Sequence, residues 1–140
     1  MNTKLLRRIE RFLLREPRRF DMTEGVKPAD TIGSVLQTPP CGTVCCLAGA
    51  AYILHNNIEK TLCGDDKYWG DVRCNAIEAL NITEKQADRL FLIKTQHSSD
   101  TDDYWPERYA EAYDKAKTPR QRVRVAIRRI EHFIKTKGKK

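Results

Sequence analysis

Apolar residues recur at helical spacing over most of this chain. Leu5, Leu6, Ile9, Phe12 and Leu13 share one stripe, which predicts a first helix capped by Thr3 and running to about Glu16, where Pro17 ends the pattern. From Arg18 to Pro40 the periodicity breaks. Gly25, Pro28, Gly33 and the Pro39-Pro40 pair mark loop there, with room for one short extended segment at residues 31–36. A second helix is expected over residues 44–55, with Thr43 as its N-cap and Asn56-Asn57 as its stop. It is apolar on every side and therefore central. Residues 65–70 read as a turn, and Val72, Ala76, Ile77 and Leu80 give a third helix. Thr83-Glu84-Lys85-Gln86 is a capping box for a fourth, which reaches about Leu92 with Ala87, Leu90 and Phe91 inside. Residues 97–104 form a polar, acidic loop. Pro106 opens a fifth helix with Tyr109, Ala110 and Tyr113 on its apolar side, and Thr118-Pro119-Arg120-Gln121 repeats the start signal for the last. That helix carries Val123, Ala126, Ile127, Ile130 and Ile134 on one stripe and is expected to fray into residues 135–140.

These elements predict a mainly α fold: one compact helical bundle around the central apolar helix. Its terminal helices fall at residues 3–16 and 119–136, and a Lys-rich tail follows at 135–140. A chain of 140 residues is long enough for a single domain with its own core and no staple. The central position of the second helix has a second support. From Thr31 to Ile58 there is no Asp, Glu, Lys or Arg, although charged residues are 32% of the chain. A chain this charged stays neutral for so long only where water is excluded, because an unpaired buried charge costs several kcal/mol. The neutral stretch is broken by Gly33, Gln37, Pro39, Pro40 and Gly42, so no run of about 18 apolar residues is present to span a membrane. The basic first helix contains Glu10 and lacks a small-residue cleavage site, which makes it structure and not a targeting segment. Five cysteines, an odd number, with no secretory signal point to the cytoplasm and free thiols.

Charge is divided unevenly along the chain. The net charge is +7, yet residues 1–20 carry seven basic and two acidic side chains, and residues 118–140 carry nine and one. Everything between them is net acidic. The two basic ends either lie across the acidic body or make a joint surface for an acidic partner, protein or nucleic acid. The residues that would carry such a surface are Arg7, Arg8, Arg11, Arg120, Arg124 and Arg128. No aromatic side chain is interleaved with the C-terminal arginines, as single-strand stacking would want.

The other candidate chemistry is in the cysteines. With Thr43 as cap, Cys45 and Cys46 would occupy the first turn of the central helix, where free N–H groups and the helix dipole favour an anion and lower a thiol pKa. Cys41 precedes them in the same segment. Such a nucleophile needs a base within reach. His55 is ten residues along the same helix from Cys45, about 15 Å of rise, and cannot serve. His97 lies in the acidic loop. His132 projects from the last helix beside Arg124 and Arg128, which predicts an exposed ring. The bland alternative is that the cysteines are small hydrophobes of the core. The C-x3-C-C spacing does not match a zinc site, and Cys63 and Cys74 supply no second pair. Asp100, Asp102 and Asp103 lack the glycine and terminal glutamate of a calcium loop. No Gly-rich phosphate loop, G-x-S-x-G or H-E-x-x-H is present, so neither a metal nor a cofactor is expected.

Four segments carry a resemblance. Cys41-Gly42-Thr43-x-x-Cys46-x-Ala48-Gly49, Ala79-Leu80-Asn81-Ile82-Thr83 with Leu90-Phe91, Trp105-Pro106, and Arg128-Arg129-Ile130-Glu131-His132-Phe133-Ile134 resemble a group of small bacterial and tailed-phage proteins with no assigned activity. The resemblance covers about residues 40–135 and implies a compact intracellular protein of accessory or phage-related type. Three functions stay open at this point. The chain binds a macromolecular partner through its basic terminal helices, it is a thiol-dependent hydrolase or transferase, or it binds nucleic acid.

Overall fold

The computed structural model describes residues 1–22, 26–28, 43–57, 69–93 and 104–140. Among these the fold is mainly α: α1 (Thr3–Arg15), α2 (Leu47–Asn56), α3 (Trp69–Leu80), α4 (Glu84–Phe91), α5 (Glu107–Asp114) and α6 (Pro119–Lys135). A 3₁₀ turn, Pro17–Arg19, follows α1. Two three-residue strands, β1 (Val26–Pro28) and β2 (Thr43–Cys45), pair antiparallel with Val26 opposite Cys45. The extended segment expected at residues 31–36 and the acidic residues of the 97–103 loop lie outside the described residues.

The central helix begins later than its composition predicts. Thr43 belongs to β2, Cys46 has extended backbone at the N-cap, and α2 starts at Leu47. Three β-capable residues paired to β1 therefore take the place of the expected first turn. Its end is as expected, with Asn57 in the left-handed region at φ 55° and its N–H bonded to the Ile53 carbonyl. Leu47, Ala48, Gly49, Ala50, Ala51, Ile53 and Leu54 are all buried, and α2 packs against α1 and α3. The run of small side chains permits that close approach on several sides at once.

The other helices are tied to this centre through their ends. Asn2, not Thr3, caps α1: its side chain accepts from Leu5 N–H at 3.1 Å and donates to the Ala79 carbonyl at 3.0 Å. The start of α1 is thus stitched to the end of α3. Both capping boxes read from the sequence form, Thr83 with Gln86 and Thr118 with Gln121. The Arg73 guanidinium of α3 reaches Glu84 and Asp88 of α4, the latter at 2.7 Å. Helices α1 and α6 lie side by side and antiparallel. Arg7 in the first half of α1 approaches Glu131 near the end of α6 at 3.9 Å, while Asp21, beyond α1, pairs with Arg122 at the start of α6 at 3.2 Å.

The C-terminal tail does not fray. Lys137 and Gly138 take left-handed backbone at φ 52° and 72°, Gly138 N–H bonds the Phe133 carbonyl at 2.8 Å, and Lys137 N–H bonds the Ile134 carbonyl at 3.1 Å. This is a Schellman closure of α6. Three side chains from α4 and α6 then hold the tail: Gln86 Nε2 donates to the Lys137 carbonyl, Arg89 Nη1 to that of Gly138 and Arg129 Nη1 to the main-chain oxygen of Lys140.

A Cβ on Gly138 would lie 2.6 Å from Gln86 Nε2 and would sit on a backbone that L residues resist. The substitution G138A is expected to destabilise the protein by about 1–2 kcal/mol. An unchanged urea midpoint would mean that the tail is not held.

Candidate functional site

Cys45 and Cys46 are 0% and 1% exposed. Cys45 ends β2, where its carbonyl accepts from Asp21 N–H and its backbone bridges Phe20. Cys46 sits at the N-cap of α2, its sulfur facing the N–H groups of Ala48 and Gly49. Those donors favour a thiolate, as the helix-terminus argument requires. Burial outweighs them, and with the nearby Asp21 carboxylate it pushes the thiol up to about 11. A nucleophile needs a thiolate near neutral pH and an open approach, and Cys46 has neither. Tyr113 packs into the same region, its hydroxyl accepting from Met22 N–H at 2.9 Å and its ring edge-to-face with Phe20 and Trp105. Burial raises its phenol to about 12.

Only some of the expected thiols and bases fall among the described residues. Cys41, Cys63 and His97 lie outside the described residues. His55 is exposed near the end of α2, and Cys74 is exposed on α3. His132 is half-buried and not exposed as the helical angle suggested, because its ring is covered by Tyr109 at 5.7 Å between centroids. Burial lowers its pKa, and Arg108 and Arg129 add to the shift. The charge acting on Cys46 is that of Asp21, whereas those acting on His132 are Arg108, Arg129, Lys140 and Lys135. Among the described residues no cluster of three or more His, Cys, Asp or Glu could hold a metal ion.

Next to His132 is a residue that sequence reasoning missed. Arg129 is 0% exposed and makes no ion pair with an Asp or Glu side chain among the described residues. Its Nη2 donates to the Arg89 carbonyl at 2.6 Å and its Nη1 to the main-chain oxygen of Lys140 at 3.1 Å. Its Cζ lies 5.5 Å from the centroid of Phe133 and 6.0 Å from that of Tyr109. Burial lowers its pKa to about 10, which leaves it charged at neutral pH. The signal was present in the spacing, since Arg129 is three residues from Ala126 and four from Phe133, both on the inner face of α6.

The six arginines proposed for a binding surface fall into two groups. Arg120, Arg124 and Arg128 are exposed along α6 and make no ion pair among the described residues. Arg11 is exposed on α1, its Nε donating to the Arg7 carbonyl at 3.3 Å. Arg7 is exposed as well, but Glu10 holds it at 2.8 Å and raises its pKa. Arg8 is turned inward, donating to the Leu54 carbonyl at 3.2 Å, and is the least available of the six. Lys4 and Arg15 on α1 and Lys135 on α6 extend the two rows. The one exposed acid of these two helices is Glu131, and it is drawn towards Arg7. Among the described residues no helix is long and apolar enough to cross a membrane.

Two measurements follow from the buried thiol. In native protein at pH 8, Cys74 should react with a thiol reagent at the rate of an exposed cysteine, while Cys45 and Cys46 react only after global unfolding. Cys46 and Tyr113 have folded pKa values raised from 9.0 and 10.0 to about 11 and 12. Their contribution to stability is complete below the unfolded values and is lost as pH rises through the folded ones. Stability should therefore fall between about pH 9 and 11, and C46A should flatten that fall by about 1.4 kcal/mol per pH unit. Equal slopes for wild type and C46A would show that the thiol ionises freely in the fold.

No protein-family model, no curated protein and no solved structure matches this chain.

Proposed function

We propose that this protein works by binding, as a small cytoplasmic accessory protein that docks an acidic macromolecule on the joined faces of α1 and α6. One observation carries the reading. Two adjacent antiparallel helices present Lys4, Arg7, Arg11 and Arg15 on one side and Arg120, Arg124, Arg128 and Lys135 on the other, against the single exposed carboxylate of Glu131. Exposed cations of this density add to one local field, which draws a polyanion and speeds its encounter. The alternative account of the basic ends was that they lie across an acidic body. What favours a partner surface is that Arg120, Arg124 and Arg128 are exposed and make no ion pair among the described residues. The accessory or phage-related role implied by the resemblance is compatible with such a surface. The thiol-dependent alternative has less support, since Cys46 is sealed and its pKa is raised.

The test is retention on an immobilised polyanion. Wild-type protein should be retained by heparin-agarose at low ionic strength and elute as salt screens the attraction. The triple substitution R120Q/R124Q/R128Q, confined to exposed positions, should elute at clearly lower salt with an unchanged thermal midpoint. Co-elution of wild type and variant would remove α6 from the surface, and flow-through of the wild type would remove the reading itself.

A further inference from the structure

We infer that the acidic partner is duplex DNA, held through its phosphates with little regard to base sequence. This rests on the reading that the α1/α6 face binds a polyanion.

The side chains on the face suit phosphate. Six of the eight cations in its two rows are arginines, whose planar forked donors match paired phosphate oxygens better than an ammonium does. Their spacing suits a repeating charge. Arg120, Arg124 and Arg128 advance by four residues a step, about 6 Å along the helix axis. The face also has two rows and not one. Packed helices have axes about 8–10 Å apart, which sets the rows at a separation close to the roughly 12 Å major groove of B-form DNA. One row can then follow each strand bordering a groove.

Two rival partners fit less well. A stable protein interface is built on an apolar or aromatic centre within its polar rim. This face has no aromatic centre and one exposed large hydrophobic residue, Leu14 beside Arg11 and Arg15, which is too little for such a core. A single strand is held by aromatic platforms between the cations. The aromatic residues of α1 and α6, Phe12 and Phe133, are 2% and 0% exposed and turned into the core.

The experiment is fluorescence anisotropy with a labelled duplex DNA of about 20 base pairs, the corresponding single strand, and polyglutamate, each titrated with the whole protein at several salt concentrations. The duplex should bind several-fold more tightly than the other two, with affinity little changed when its sequence is scrambled. Its log K should fall with log salt by about 0.9 for each phosphate neutralised, and R120Q/R124Q/R128Q should reduce that slope by about 2–3. If that variant loses its helical circular dichroism, K4Q/R11Q on α1 tests the same point, with a reduction of about 1–2 expected. Equal or tighter binding of the single strand overturns the duplex assignment. So does an affinity for duplex that does not respond to salt. Binding of polyglutamate without binding of duplex overturns it in favour of an acidic protein and leaves the broader reading standing. Failure of all three polyanions overturns both.

Discussion

The guanidinium of Arg129 is buried with no Asp or Glu side chain beside it among the described residues, and three separate parts of the chain are arranged to make that tolerable. The carbonyl of Arg89 supplies one acceptor, in the last turn of α4, where carbonyls lack intrahelical partners and the helix dipole is negative. The neighbouring carbonyl of Leu90 is taken by the Trp105 indole at 2.7 Å, so one helix end is closed by two side chains from elsewhere in the chain. Lys140 supplies the other acceptor, which requires the Schellman turn at Lys137 and Gly138. Phe133 and Tyr109 complete the surround with their ring faces. Hydrogen bonds to a charged donor contribute about 1.5–3 kcal/mol each, set against a desolvation cost of several kcal/mol. The balance is close, so loss of either acceptor leaves an expensive charge behind. That couples α4, α6 and the tail as one unit.

The same physics separates the two kinds of charge-bearing group in this protein. Cys46 has the helix-terminus position that elsewhere activates a thiol, yet the absence of water around it reverses the outcome. Position on a helix sets the sign of the local field, and burial decides whether an ion can exist there at all. On α6 the division runs around the helix circumference. Arg129 faces inward and is spent on structure, whereas Arg120, Arg124 and Arg128 face outward and remain available to a partner.

Legibility in the sequence followed the range of the interactions concerned. The helical class, the stripes of α1 and α6, both capping boxes and the Asn57 stop depend on residues within a turn or two, and the pattern displays them directly. The start of α2 was misplaced because its composition hides a partner. Thr43, Val44 and Cys45 look like a helix entry until they pair with β1, about seventeen residues earlier. Asn2 displaced Thr3 as a cap because its amide also reaches the end of α3. The ordered tail depends on Gln86, Arg89 and Arg129, which only tertiary structure brings to it. The candidate surface was legible as a charge count at the two ends of the chain. That α1 and α6 adjoin, and that Arg8 turns away, was not.

That adjacency has a consequence for how the protein is made. Helix α1 leaves the ribosome before the elements that cover it: α2, then α3 to receive Asn2, and later α6. Until residues 119–135 emerge, Leu5, Leu6, Ile9, Phe12 and Leu13 have no complete shelter, and they wait on a strongly cationic segment beside ribosomal RNA. Helix α1 is thus secured only once α6 has followed it, and the chain between them is made while that apolar stripe still waits for its cover.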